Sequence, residues 1–485
     1  MQRSPSGGPS AVRSGLLTGL SAVAVNAASA VAGILLARKY GHGARTDGFF
    51  AAYAIYISLV LVANALRVVV LPEFARAHLM GSLGREFGSW ASALAVPLVP
   101  AVAVVLSAPH AIAGLLTGND VARESAASLL PWLIPAAGAQ VYAGLAASAL
   151  AALDDYGTAA LGYALGSVAA VVVIVAFIDH GVVAFGWGIA ANGAVSLGVP
   201  LAVLLSHRIV ARPGKAVLHR LRLLVDGVAL PFALQGLYLI AYRFASNLGS
   251  GRPTTFSYAY LIASLLVALT ATSIALVSSV PLARSDLTPE GASRHIVAAT
   301  WLSLAIVAGA AGVVAVAGGW LAKRFLGSSY GGDTGAQLGH LVAYLSPWMV
   351  ASAALSVAFP LIFVRGRGRW LPALAIAALG LQVLVEWPLS KRFGLEGVAA
   401  GMAVTTAAIL TVLLLALHAL RTGARGVLLA AASCAAPALV GFGLAAAFLG
   451  PVPAAVVGYA IYLGALAAWR PSGLVSSWSY LRHLA

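Results

Sequence analysis

Few side chains can do chemistry inside the apolar stretches of this chain, and they are mainly of two kinds. Arg67 and Arg243 are cations within hydrophobic runs, and Asn26, Gln140 and Gln235 are amides on otherwise apolar segments. A charge in hydrocarbon is costly, so an ionisable group in such a run is a functional candidate by default. A guanidinium presents a rigid fork of donors suited to a phosphate or diphosphate. An amide can hydrogen-bond a polar headgroup or a neighbouring helix. These five residues form the candidate substrate-binding set. Both arginines also have a structural reading, because each lies near one end of its run and can snorkel to the interface.

Carboxylates are scarcer. Asp47 opens the second apolar run, where a carboxylate is stabilised by the helix dipole and can cap the helix. Asp154 and Asp155 occupy a short turn whose counterpart in the second half of the chain carries Arg365, Arg367 and Arg369. Opposite charge at equivalent turns fits a salt-bridge gate, and it fits two independent solvated turns equally simply. Glu396 reads as a first-turn carboxylate. Glu386, beside Trp387, reads as a satisfied interfacial charge, with a cation-coupling carboxylate as the alternative. The single cysteine, Cys434, lies in an apolar run, so neither a disulfide framework nor a cysteine metal site is expected. No metal and no cofactor is expected either.

The elements that hold these residues follow from composition. The 485 residues are 61% hydrophobic and 9% charged, with mean hydropathy +0.95, which excludes a soluble globule. Runs of roughly 20 apolar residues, each able to cross about 30 Å of hydrocarbon, recur along the chain. Lipid cannot hydrogen-bond a backbone, so the runs are helices. The reading is an all-α membrane protein of about 14 transmembrane helices. They cover 14–37, 48–71, 88–107, 126–152, 157–178, 182–206, 225–247, 254–280, 297–320, 337–364, 369–389, 396–419, 426–449 and 452–469.

The pattern is written twice. Pro131-Trp132 recurs as Pro347-Trp348, and Gly188-Ile189-Ala190-Ala191 as Gly397-Val398-Ala399-Ala400. Pro72-Glu73-Phe74-Ala75-Arg76 recurs more loosely as Pro281-Leu282-Ala283-Arg284. The offsets are 216, 209 and 208 residues, and the order is preserved. An even-numbered repeat inserts both copies in one orientation, so two six-helix lobes related by a pseudo-twofold along the membrane normal are expected, plus two C-terminal helices. The divisions are 14–207 for the first lobe, 208–224 for a cytoplasmic amphipathic linker, 225–420 for the second lobe, 426–469 for the last two spans and 470–485 for a cytoplasmic tail. With the N-terminus inside, the inner segments carry 18 of the 29 Lys and Arg and the outer loops 9, which favours N-in and C-in. Arg3 and Arg13 before the first apolar run resemble a signal peptide, but the many later spans make that run an uncleaved first helix. The net charge of +15 is scattered between spans, which argues against nucleic acid and for anionic lipid headgroups or an anionic substrate. The Arg and Ala bias suggests a GC-rich bacterial genome, and with the helical spans the expected location is the bacterial cytoplasmic membrane.

Leu36-Ala37-Arg38-Lys39-Tyr40-Gly41-His42-Gly43, followed by Thr46-Asp47-Gly48-Phe49-Phe50-Ala51-Ala52-Tyr53, resembles the opening of the MurJ (MviN) lipid II flippases. Phe244 to Gly251 before Tyr258-Ala259-Tyr260 resembles their seventh-to-eighth helix junction. Gly394 to Gly401 resembles a helix start widespread in lipid-linked polysaccharide flippases. Together the motifs resemble the multidrug/oligosaccharidyl-lipid/polysaccharide (MOP) superfamily over the first twelve spans. The resemblance implies a flippase with the two-lobe fold, Asp47 as an outer-gate partner for Arg38 or Arg45, Arg67 on a cleft-lining helix, and a C-terminal helix pair that receives a lipid tail. The arginines that MurJ-like proteins aim at a diphosphate fall here on Asn26, Ala32, Val60 and Leu261. Arg243, then Arg67, are the remaining cations for that role.

The function expected is translocation of a polyprenyl-diphosphate-linked cell-wall or polysaccharide precursor by alternating access, not an enzymatic reaction. Its partners would be the lipid-linked sugar, membrane lipids and cell-wall or polysaccharide biosynthesis enzymes. Two alternatives stay open: a MATE-like cation-coupled antiporter, and a degenerate scaffold that transports nothing. A membrane glycosyltransferase would want acidic residues in a sizeable outer loop to bind metal, and the outer loops are short.

Overall fold

The structure is a computed structural model that describes residues 9–209, 217–272, 288–365 and 368–484. The described residues form helices and no strand. In order these are α1 (Pro9–Tyr40), α2 (Ala44–Leu79), α3 (Leu83–Ser107), the short α4 (Pro109–Leu116), α5 (Asp120–Ala151), α6 (Tyr156–Phe177), α7 (Val183–Ser206) and α8 (Val217–Ser246). There follow α9 (Arg252–Val267), α10 (Pro289–Leu326), α11 (Asp333–Tyr344), α12 (Ser346–Val364), α13 (Leu371–Ala416), α14 (Leu420–Phe448), α15 (Pro451–Trp469) and α16 (Ser472–Leu484).

Among the described residues, 11 helices are long and apolar enough to cross a membrane, or 12 if α11 and α12, bent by 45°, are one broken span. The sequence expectation of about fourteen differs from this count at definable places. Helix α1 is not among the eleven, and α13 counts once although its backbone leaves helical geometry at Gly394 (φ 62°, ψ −133°). That break falls between the runs read as 369–389 and 396–419. The Pro281–Arg284 copy of the repeat lies outside the described residues.

The chain divides into two compact units, Met1–Leu239 and Ile240–Ala485, so the boundary falls within α8. In the first unit small residues set the helix contacts, as lipid-embedded packing requires. A Cβ on Gly144 of α5 would lie 3.0 Å from the Ala63 Cβ of α2, and one on Gly193 of α7 would lie 2.9 Å from the Ala136 carbonyl of α5. Asn119 caps α5 by accepting from the Ala122 amide at 3.1 Å. In the second unit α10 is the post on which α14 and α15 pack. Phe442 fills the space over Gly312 and Gly458, and the Tyr462 hydroxyl donates to the Ala305 carbonyl at 2.8 Å. Cys434 is buried beside Trp301, Leu304 and Ala430 in this apolar seam.

The two copies of the Gly-x-Ala-Ala run have the same local task. Gly188 abuts Ile174 and the Ala170 carbonyl of α6, while Gly397 abuts Leu389 and Ser390 in the preceding half of α13. A side chain at either position would collide with the antiparallel neighbour.

The segment read as a surface linker is corrected in its second half. Residues from Val217 onward are the first turns of α8, and Arg220 is 9% exposed rather than solvated. Its Nη1 donates to Glu73 Oε2 of α2 at 2.6 Å, and its Nη2 pairs with Glu86 of α3. Trp90 Nε1 also donates to Glu73 Oε2, at 2.9 Å, and the Arg220 guanidinium lies 5.2 Å from the Trp90 ring centroid. The cluster sits on the apolar core of Phe74, Phe87 and Leu224. Three helices are thus tied by one guanidinium. Removing one partner of a buried ion pair strands the others, at about 3–5 kcal/mol. Arg220→Met should therefore lose about that much stability in chemical unfolding of the purified protein, and adding Glu73→Gln with Glu86→Gln should restore most of it. An unchanged unfolding midpoint in the single variant would show that the cluster ties nothing.

Candidate functional site

The least satisfied polar group of the second unit lies in the broken helix α13. Gly394 turns the chain with a positive φ that glycine adopts without strain, and the two halves run back against each other. Along the first half, Gln382, Glu386 and Ser390 recur every four residues and so share one face. Their exposures are 0%, 0% and 4%. Along the second half, Gly397, Gly401 and Thr405 do the same. A Cβ on Gly401 would collide with the Glu386 side chain, so the glycine is the space into which the carboxylate fits. One turn from that contact on either helix stand Gln382 and Thr405.

Gln382 Nε2 donates to Glu386 Oε1. The other carboxylate oxygen, Oε2, is buried without a partner, and so are Gln382 Oε1 and the hydroxyls of Thr405 and Thr406. All four orphan atoms are oxygens. A buried carboxylate with spare oxygens about it is suited to take up a proton or a hard monovalent cation, since either supplies the missing partner. No group of three or more His, Cys, Asp or Glu capable of holding a metal occurs among the described residues. The interfacial reading of Glu386 is corrected by this geometry. Trp387 is 58% exposed with Lys391 4.1 Å from its ring centroid, so the tryptophan marks the outer face of the helix while Glu386, one residue back, points inward.

In the first unit, Arg67 is held against α6. Its Nη2 donates to the Tyr163 hydroxyl of α6 at 2.7 Å, and its guanidinium lies 5.1 Å from the Tyr163 ring centroid. Its Nε is buried without a partner. Arg67 is therefore a fixed cation with an unused donor. Arg243 is half-buried, and its Nη1 is engaged within the last turn of α8 by Asn247 Oδ1 at 2.7 Å and Ser246 Oγ at 3.1 Å. Of the amides, Gln140 and Gln235 are each 5% exposed, Asn26 is exposed on α1, and Gln235 Nε2 has no partner.

The residues read as gates have helix-end roles. Asp155 caps α6, accepting from the Thr158 amide at 3.0 Å and the Thr158 hydroxyl at 2.6 Å. Asp154 is exposed and takes a positive φ of 61° in the turn. Arg365 Nη1 donates to the Leu417 carbonyl at 3.0 Å, at the C-terminal end of α13. Arg367 lies outside the described residues. Asp47 is buried in the first turn of α2, but the cap position is Gly43, four residues earlier than a capping aspartate would need. Arg38 is exposed, and its neighbour Lys39 pairs with Asp179 at 2.7 Å, closing α1 on the end of α6.

Tyr163, Gln382, Thr405 and the Glu73–Glu86–Arg220 cluster are absent from the sequence-derived candidates. The polar stripe 382–386–390 and the small-residue stripe 397–401–405 are both visible in the sequence as four-residue spacings. The partners of Arg67 and Arg220, 96 and 147 residues away, leave no local trace.

Long apolar helices and a broken hairpin span define a multi-pass helical membrane fold. Solved structures of transporters share that fold. The chain superposes on the lipid II flippase MurJ in an inward closed conformation with a TM-score of 0.75 and 12% identity, over 94% of this chain and 98% of that one. It superposes on an inward-facing multidrug-resistance MATE transporter of the MOP superfamily with a TM-score of 0.66 and 16% identity, over 83% and 94%. A MOP-superfamily transporter from Pyrococcus furiosus matches with a TM-score of 0.55 and 16% identity, over 87% and 96%. At these identities the likeness is one of fold. No family model matches the chain, and no curated protein sequence matches it.

An unsatisfied buried carboxylate weakens a helix pair, so a protein that keeps one for function should gain stability on losing it. Glu386→Leu should leave the melting temperature of the purified protein unchanged or higher. A fall of several degrees would instead make Glu386 a structural group.

Proposed function

We propose that this protein is a flippase that moves a polyprenyl-diphosphate-linked sugar, a cell-wall or polysaccharide precursor of the lipid II kind, across a bacterial cytoplasmic membrane by alternating access. The observation that carries this is the reach of the fold match. The 94% coverage by MurJ leaves about 29 of the 485 residues unmatched, fewer than the 48 residues of α14 and α15 together (29 and 19), so the match must enter that C-terminal pair. The 83% coverage by the MATE transporter leaves about 82 unmatched, enough to omit the pair altogether. A pair of apolar helices beyond a twelve-span core suits a substrate with a long lipid tail. Counting α1, both halves of α13 and the bent pair α11–α12 gives fourteen spans, and an even count with the basic inner segments supports N-in and C-in.

Within this function Arg67 is the headgroup cation. It is fixed by Tyr163 and retains a buried, unpartnered Nε–H for an anionic oxygen. Arg243, Gln140, Gln235 and Asn26 are secondary contacts, Arg243 because Ser246 and Asn247 already engage it. Glu386, with Gln382 and Thr405, binds the coupling proton or cation. Enzymes that build or polymerise the sugar are the expected partners.

A MATE-like antiporter is the second function, favoured by the 0.66 superposition and by the buried Glu386. Purified protein in liposomes separates the two. The flippase should move a fluorescent lipid-linked sugar between leaflets and leave ethidium behind, and Arg67→Ala should slow that movement at least about tenfold, the loss of one charge-assisted contact. Ethidium efflux with no lipid movement would establish the antiporter. Full lipid movement by Arg67→Ala would remove Arg67 from the headgroup site.

A further inference from the structure

The end of the chain, expected to be a tail, is a helix laid against the bundle. Helix α15 stops at Trp469, Arg470 takes a left-handed conformation (φ 43°, ψ 63°), and Pro471 leads into α16. The chain therefore leaves a membrane span and starts a new helix within two residues, too few to move away from the bilayer surface. One face of α16 packs on the first turns of α10. Gly473 abuts the Trp301 indole so closely that a side chain there would overlap it, and Tyr480 lies under the Arg294 guanidinium at 4.9 Å and beside His295 at 6.0 Å. Ser477, between them, is 4% exposed.

Among the described residues the other face is uncovered. Val475 and Trp478, three residues apart, are 55% and 63% exposed, and Trp469 at the turn is 59% exposed. Tryptophan with an aliphatic neighbour on an outward helix face is the composition of a membrane interface. Cations surround this face. The start of α14 packs on the same end of α10, through Ser293 Oγ donating to Thr422 Oγ1 at 2.8 Å and Gly426 against Val297. That contact brings exposed Arg421 and Arg425 to the end that already holds exposed Arg294 and Arg470. Glu290 is the single carboxylate on the described parts of these helix ends.

We propose that α16 is an interfacial helix whose Val475–Trp478 face enters the acyl–headgroup boundary, and that Arg294, Arg421, Arg425 and Arg470 bind the headgroups of acidic phospholipids there. The occupant is the lipid surface itself. The apolar face supplies a depth and the four arginines supply a sign, and a zwitterionic surface would satisfy only the first. The helix then anchors the α10 end of the second unit to the bilayer whatever substrate the transporter carries.

Two measurements on the full chain test this. In the first, Cys434→Ser removes the native thiol and Trp478→Cys carries a nitroxide in bilayers containing about 30% phosphatidylglycerol, which gives the surface a negative potential. Collision with oxygen should exceed collision with an aqueous nickel chelate, as for a group below the headgroups. The reverse order would overturn the interfacial placement. In the second, native mass spectrometry counts the lipids retained from an equal mixture of phosphatidylglycerol and phosphatidylcholine. The unaltered chain should retain the acidic lipid preferentially. Arg294→Gln with Arg421→Gln and Arg425→Gln should reduce that preference about tenfold or more, since each surface cation contributes on the order of a few-fold. The corresponding lysine variants should keep it, and they control for folding because they preserve the charge. No preference in the unaltered chain, or equal preference in the glutamine variant, would overturn the headgroup assignment.

Discussion

Hydrocarbon offers no hydrogen-bond partner, and this constraint orders the rest of the molecule. Short hydroxyls inside the spans obey it locally. Ser58, Ser148, Thr300 and Ser303 each donate to the carbonyl four residues back, at 2.7 to 2.9 Å, and so carry no unmet polarity into the bilayer. Thr405 and Thr406 have the same chemistry and the same burial, yet their hydroxyls have no partner. They stand beside Glu386 and Gln382, whose remaining oxygens are also unpartnered. Four orphan oxygens in one hairpin depart from the rule that those serine and threonine hydroxyls keep, and a ligand that arrives and leaves is the simplest reason to keep them.

The same constraint explains the close packing. Burial of apolar surface does not drive one helix onto another when lipid is equally apolar, so contact must come from backbone approach and from the few polar ties available. Glycine and alanine supply the approach at Gly144, Gly193, Gly397 and Gly401. The polar ties are Arg220 with Glu73 and Glu86, Arg67 with Tyr163, and Tyr462 with the Ala305 carbonyl. The first holds three helices through two carboxylates that balance its charge, which suits a structural role. The second is held by a neutral phenol, which leaves its charge for an anionic ligand. Both keep a buried Nε without a partner, so counter-charge separates the two arginines more clearly than unmet hydrogen bonds do.

Most of the spans are legible in the sequence because they are written in local hydropathy. The break at Gly394 is legible in the same way, between two apolar runs. Side-chain direction is harder. Trp387 suggests an interfacial position for its neighbour Glu386, but adjacent helical residues point about 100° apart, so the tryptophan speaks for the opposite face. The four-residue stripe through Gln382 and Ser390 is the better guide. The basic residues around Arg220 suggest a solvated surface, whereas its partners are Glu73 and Glu86 on other helices. Contacts between helices distant in the chain leave no periodicity, and burial of a charge cannot be read before its counter-charge is located.

Under the proposed transport function, an orphan carboxylate in the spans should couple the movement of the cargo to the ion that satisfies that carboxylate. The most direct measurement is the steady-state leaflet distribution of a fluorescent polyprenyl-diphosphate sugar in vesicles holding an imposed sodium or proton gradient. The distribution should become unequal in the direction the gradient dictates, should reverse when the gradient is reversed, and should return to equality in Glu386→Gln. An equal distribution under every gradient, or an unequal one that Glu386→Gln maintains, would contradict the account.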